Sequence, residues 1–145
     1  MVHRWAARTL VLALCIICSG SAAGQDSSAP PPARSGKLGT LGQNYPNPFK
    51  PDTFIPFTID DCYGGGGQHV VTLRVYNVLA QLVATPTLHG LGKPLANLRL
   101  SCGEYIGHWD GTVGRTRKRA ASGVYVYELM IDGQRLSQRK MFLAK

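Results

Sequence analysis

The stretch from Gly123 to Ile131 alternates in a way that admits little besides a β-strand, with Glu128 marking a wet face and Tyr125, Tyr127, Leu129 and Ile131 on the opposite, core-facing side. It ends at Asp132-Gly133, a dipeptide suited to the positive φ of a two-residue hairpin turn. Gln134 to Leu143 then returns as the partner strand, with Met141, Phe142 and Leu143 alternating between core and outer face. A chain built around such a hairpin must supply further strands to cover its apolar side.

Those strands are present upstream. Thr53 to Asp60 places Ile55, Phe57 and Ile59 on one face and Phe54, Pro56 and Thr58 on the other. Pro56 cannot donate to a ladder, which predicts a sheet edge or pairing through the strand's other side. Asp61 to Gly67 reads as a flexible loop; no Lys-Ser or Lys-Thr follows its glycines, as phosphate binding would require. His69 to Tyr76 alternates again, with Val71, Leu73 and Val75 inward and Thr72 and Arg74 toward solvent. Asn77 to Gln81 reads as a hairpin connection and Leu82 to Thr87 as its return strand, followed by a long crossing loop from Leu88 to Ser101. Glu104 to Trp109 is the next strand, ended by Asp110-Gly111. Helical periodicity is absent over any useful length after the amino-terminal leader. Short strands at regular spacing predict an all-β, two-sheet antiparallel sandwich of about seven strands.

The amino terminus has a different character. His3, Arg4 and Arg8 precede an apolar stretch from Leu10 to Cys18 and then small residues, the plan of a cleaved secretory signal peptide over residues 1–24. The apolar run is shorter than the ~20 residues of a spanning helix. Residues 25–40, rich in Ser, Ala, Pro and Gly, read as a disordered tether, leaving residues 41–145 for one domain with one core. Cys62 and Cys102 remain after removal of the leader, and an oxidising compartment favours a disulfide between them. A metal site made from both cysteines with His69 and His108 is the competing reading, but no tight ligand spacing supports it, and neither metal nor cofactor is expected.

Formal charge is +8, and Arg115 to Lys145 carries eight basic residues against two acidic ones. The run Arg115, Arg117, Lys118 and Arg119 could hold an anionic surface polymer by Coulomb attraction. Nucleic acid is not expected, because no aromatics interleave with the charges to stack on bases, and a solvated loop is the plainer alternative.

At Asn44-Tyr45-Pro46-Asn47-Pro48-Phe49, together with Pro51, the prolines fix φ and bias their predecessors toward extended forms, which predicts a stiff, rod-like lead-in from which Tyr45 and Phe49 dock on a sheet end. In order along the chain come NYPNPF, YNVLAQ, Trp109-Asp110-Gly111, Ser122-Gly123 opening SGVYVYEL, and a closing Arg139-Lys140-Met141 with Lys145 at the end. This series resembles the carboxyl-terminal sorting domain of the type IX secretion system, which grades into the immunoglobulin-like domain of flagellar hook-capping proteins. The resemblance covers about Leu38 to Lys145. It implies an immunoglobulin-like sandwich, with Tyr45 to Phe49 as an entry clamp, Gly123 to Tyr127 as the central strand, and Arg139 to Lys145 as the strand presented to a secretion machinery or cell-surface protein. Lys50, Ala80 and the basic stretch after Gly111 depart from the pattern, which places Asn, Gly and acidic residues there.

Two functions follow as expectations. One is an exported, non-catalytic sorting or anchoring module that crosses the periplasm to the cell surface or medium; the other is a stand-alone extracellular binding or structural subunit docking by a sheet edge. Enzymatic activity is not expected, since His69, His89 and His108 lack a nucleophile motif and eight carboxylates offer little for acid–base pairs.

Overall fold

The computed structural model describes residues 36–62 and 67–145. The expected signal peptide, the tether up to residue 35 and the glycines at 64–66 lie outside the described residues. Alternation does what the sequence demands, and two antiparallel sheets result. One sheet runs in the order β1 (Gly39–Leu41), β2 (Thr53–Ile59), β7 (Gly103–Trp109), β5 (Thr87–Leu88). The other runs β11 (Gln134–Leu143), β10 (Gly123–Ile131), β3 (Gln68–Asn77), β4 (Leu82–Ala84), with β6 (Leu98–Ser101) pairing the first half of β3. A small hairpin, β8 (Thr112–Val113) and β9 (Lys118–Arg119), closes around a 3-10 turn, so the basic run is an ordered hairpin with exposed cations at Lys118 and Arg119.

Burial follows the predicted faces. Ile55, Phe57 and Ile59 of β2 meet Val71, Leu73 and Val75 of β3, Tyr125, Tyr127, Leu129 and Ile131 of β10, and Met141 and Leu143 of β11 in one buried cluster. The sheets approach so closely that a Cβ on Gly107 would lie 2.5 Å from a Leu73 methyl. No buried side-chain polar atom among the described residues lacks a hydrogen-bond partner.

Cys62 and Cys102 are disulfide-bonded across 40 residues of sequence. They are neighbours because β2 pairs antiparallel with β7, setting Ile59 opposite Gly103. Constraint of a loop of that length in the unfolded chain contributes about 4 kcal/mol in the chain-entropy picture.

The structure corrects several sequence expectations. Folded chain begins at Gly39 in β1, earlier than residue 41. Of the two placements that Pro56 allows, the second holds: β2 is an inner strand that pairs β7 through its other side at this point, since the Pro56 carbonyl accepts Gly42 N–H at 2.8 Å and the proline nitrogen faces the β1 side, where the ladder stops. The return strand after Gln81 covers only Leu82 to Ala84; Pro86 cannot continue the ladder, and the chain crosses to the other sheet as β5. The segment from Leu88 to Ser101 is no open loop. It doubles back at Lys93, whose carbonyl accepts Leu88 N–H, buries Leu95 completely and ends as β6. That segment also covers Thr72, which is buried and exchanges hydrogen bonds with Asn97 instead of facing water. Glu128, expected on a wet face, is buried beneath its neighbours: Arg135 Nε donates to it at 2.6 Å and Gln138 Nε2 at 2.7 Å.

The hairpin between β3 and β4 is built on Asn77, whose side-chain oxygen accepts Leu79 N–H and Gln81 N–H. Ala80 there has φ +57°, a left-handed conformation that a Cβ disfavours by ~1–2 kcal/mol. Ala80→Gly is expected to stabilise the domain by on the order of 1 kcal/mol after the glycine's greater unfolded-state entropy is subtracted. Equilibrium denaturation of the two proteins checks this, and a loss of stability would contradict it.

Candidate recognition surface

The lead-in motif does not form a rod. Tyr45 bridges Phe54 in both directions, with N–H to carbonyl distances of 2.9 and 2.8 Å, so residues 45–54 close a compact loop against β2. Asn44 holds this loop from inside. Its side-chain amide donates to Thr53 Oγ1 at 2.9 Å and to the Pro46 carbonyl at 3.1 Å, and both Asn44 and Thr53 are buried. Phe49 is buried between the sheets with its ring 5.4 Å from that of Trp109, which in turn meets Tyr125 edge-on at 5.2 Å. Trp109 Nε1–H donates to the Thr112 carbonyl, and Asp110 Oδ1 accepts from Thr112 N–H and hydroxyl, which hold its carboxyl below the usual range against the opposing effect of burial. Gly111 closes this turn at φ +71°, where a Cβ would lie 2.7 Å from the Pro51 carbonyl.

The motif's second task is to grip the last strand. Phe49 N–H donates to the Phe142 carbonyl and Ala144 N–H to the Phe49 carbonyl, each at 2.9 Å, while the Asn47 side chain accepts Phe142 N–H. Arg139 Nε donates to the Leu41 carbonyl at 2.8 Å, and Gln43 donates to the Lys140 carbonyl. Beneath them the Tyr127 hydroxyl donates to the Gly42 carbonyl at 2.8 Å and accepts Asn44 N–H at 2.9 Å. Burial raises the Tyr127 pKa, with the Asn44 N–H and the Arg139 charge pulling the other way.

The sequence-predicted residues therefore divide into two groups. Asn44, Phe49, Trp109 and Tyr125 are buried and architectural, and Gly111 serves the turn. Tyr45, Lys140, Phe142 and Lys145 are exposed, Tyr45 at 48% beside Phe54 of β2 and Phe142 at 47% with Lys140 and Lys145 at the end of the chain that the lead-in grips. Pro46, Asn47, Pro48 and Ser122 are exposed around them. Of the basic run, Arg119 lines a cavity of about 250 Å³ with Lys50 and Lys145, whereas Arg117 and Lys118 are exposed outside it. A wider groove of about 710 Å³ runs past Thr85, Pro86 and Trp109, and His108 and Asp110 are the titratable residues on its wall.

Three features escaped the sequence reading. The Tyr127 hydroxyl was legible in principle, since a tyrosine at a core-facing position needs a polar partner. Phe54 stacks on His108 at 5.1 Å and meets His89 edge-on at 5.2 Å, forming with Tyr45 an aromatic row on the outer face of the β2 sheet. Finally, His69 Nδ1 lies 2.7 Å from Asp132 Oδ2, and this hydrogen bond, opposed by burial and aided by the Asp61 carbonyl, raises the His69 pKa. Neither partner's role follows from local pattern, because 63 residues separate them.

No family model and no curated protein matches the chain. Among solved structures it is similar to the Pseudomonas fluorescens alkylpurine DNA glycosylase AlkC bound to DNA containing an abasic site analog, at 12% identity and a TM-score of 0.46. That likeness covers 77% of this chain and 32% of the glycosylase chain, so the protein spans about a third of that neighbour's length.

Tyr127→Phe removes the hydroxyl while keeping the ring, leaving the Gly42 carbonyl and Asn44 N–H without their shared partner. A loss of about 2–4 kcal/mol is expected, since each buried group left unpaired costs ~1–3 kcal/mol. Tyr125→Phe, which forfeits one bond to the Ala121 carbonyl, should cost about 1 kcal/mol. Chemical denaturation compares the two; equal losses would show that the Tyr127 hydroxyl has no special role.

Proposed function

We propose that this chain is an exported, non-catalytic β-sandwich module of the type IX sorting-domain kind, recognised through the outward side of its last strand by a secretion machinery or cell-surface protein. The observation that supports it most is the clamp. Residues drawn from the motif series converge on β11 and leave Lys140, Phe142 and Lys145 facing out, a rigid presentation that lowers the ordering cost of recognition. Lys50, Arg119 and Lys145 around one cavity give the same end of the domain a positive charge, suited to an anionic partner group.

A second reading is a stand-alone binding subunit, and the row of exposed Tyr45 and His89 with half-buried Phe54 and His108 favours it. The two readings place the working surface differently, on the last strand or on the outer face of the β2 sheet.

The decisive experiment grafts Leu38–Lys145 onto an unrelated periplasmic protein in a host with an active type IX apparatus and measures carrier at the surface and in the medium. Export of the carrier is expected. Lys140→Glu with Phe142→Ser should hold it in the periplasm while changing stability by only about 0.5 kcal/mol per site, because both side chains face solvent. Deletion of Met141–Lys145 should also abolish export, but it removes half the clamp, so the point variants carry the test. A folded graft that stays periplasmic overturns the sorting reading.

A further inference from the structure

Far from the clamp, at the other end of the sandwich, Cys62, Cys102 and His69 come together: one ring nitrogen of His69 and the two sulfurs all lie within 4.8 Å of one another. Three separate elements build this cluster. Cys62 follows β2, Cys102 joins β6 to β7, and His69 opens β3, where it stands opposite Leu100, so that Cys102 is its diagonal neighbour two residues on. His69 is also held from behind. Asp132, in the turn between β10 and β11, accepts from its Nδ1 and is itself pinned by Val70 N–H at 2.8 Å and by its own N–H on the Val70 carbonyl at 2.9 Å. Nε2 is left on the other side of the ring, 3.3 Å from the Asp61 carbonyl.

We propose that this cluster is a redox-gated zinc site: the oxidised chain carries the Cys62–Cys102 disulfide, and the reduced chain binds one Zn²⁺ through both thiolates and His69. Two thiolates and an imidazole form a donor set suited to zinc, with a fourth position left for water. Two sulfurs on one zinc stand roughly 3.8 Å apart, given Zn–S bonds of ~2.3 Å and tetrahedral angles. Opening of the disulfide to that spacing asks for a displacement shared by two side chains that lie just outside strands, one after β2 and one at the joint between β6 and β7. A carboxylate that fixes the ring of a ligating histidine is the usual second partner of such sites, and Asp132 already occupies that place. The electron balance is simple. A dithiol reductant delivers two electrons and two protons to the S–S bond and becomes a disulfide itself; zinc then displaces the two thiol protons to solvent.

The same strands make the exchange structurally conservative. Reduction alone removes the loop constraint, and a metal bound by the same two sulfurs and His69 closes the same loop. Zinc bound to the reduced chain is therefore expected to restore most of the thermal stability lost on reduction.

The test uses full-length protein carrying Cys15→Ser and Cys18→Ser, so that Cys62 and Cys102 are its only cysteines. It is anaerobically reduced with a phosphine or left oxidised, and titrated with Zn²⁺ against a chromophoric chelator and with Co²⁺ for the thiolate-to-cobalt charge-transfer band. One equivalent is expected on the reduced chain and none on the oxidised chain. Cys62→Ser should abolish the charge-transfer signature of a two-thiolate site, His69→Ala should weaken binding at least tenfold, and Asp132→Asn by about 10–100-fold. The proposal is overturned if the reduced, folded chain takes no metal, or if His69→Ala binds as tightly as the parent, which would mean chelation by two thiols alone. A reduced chain that unfolds and is not refolded by zinc, judged by circular dichroism, also counts against it.

Discussion

A single hydroxyl joins the two sheets at the point where a proline breaks the ladder. Strand β1 runs beside β2 until Gly42 faces Pro56, a pair that would exchange two backbone hydrogen bonds if Pro56 had an N–H. Gly42 N–H makes its half of the exchange. The Gly42 carbonyl takes its hydrogen instead from Tyr127 of the opposite sheet, and the same hydroxyl oxygen then receives Asn44 N–H. The proline thus frees an acceptor, and the tyrosine uses that acceptor to fix where the lead-in departs from β1. Everything the lead-in does afterwards depends on that departure: Asn44 bonding Thr53, Phe49 entering the core beside Trp109, and the Phe49 backbone gripping the strand from Phe142 to Ala144.

This arrangement explains how the sandwich is closed along one side. β1 and β11 are edge strands of different sheets, and exposed edges invite association with other chains. Here Arg139 donates to Leu41, Gln43 donates to Lys140, and Phe49 pairs with Leu143 in a short parallel bridge. Side-chain donors thereby engage carbonyls on both edge strands. The last strand is held by hydrogen bonds on its open edge from Arg139 to Ala144. This means that Arg139, which the motif resemblance assigns to recognition, contributes at least as much to assembly of the sandwich.

Period-two alternation carried most of the fold, because burial on one face leaves little freedom of register. The core sides of β2, β3, β10 and β11 were readable from it, and the Cys62–Cys102 bond from the cysteines that remain after the leader. The failures share one cause: contacts made by another segment override a strand's own pattern. Glu128 reads as solvent-facing until Arg135 and Gln138 of the paired hairpin strand are laid across it, and Thr72 does so until the crossing segment brings Asn97 over it. Pro56 predicts a sheet edge or pairing through the strand's other side, and the second is found, but the donor that takes up the freed Gly42 carbonyl, Tyr127, lies 71 positions from the proline. The candidate site was legible to a lesser degree. Motif positions were found, but their division into buried braces and exposed display depends on which side of each strand meets the opposite sheet.

That division decides where function can reside. A buried brace such as Asn44 or Trp109 cannot touch a partner without unfolding, so a sequence series dominated by such residues identifies an architecture more directly than an activity. The exposed remainder forms two surfaces, one on the last strand and one on the aromatic row, and the Cys–His cluster lies at the far end of the sandwich from the last strand's grip. Ile59, His69 and Asp132 mark that far end, while Thr53, Phe49 and Leu143 mark the near one. Strands β2, β3, β10 and β11 run between them in paired ladders, β10–β11 with one register shift at Leu129/Met130, so a change confined to the disulfide end meets several paired residues before it reaches the clamp. Loss of recognition on altering Lys140 or Phe142 and loss of metal on altering His69 should therefore be independent, as effects at sites without shared partners usually are.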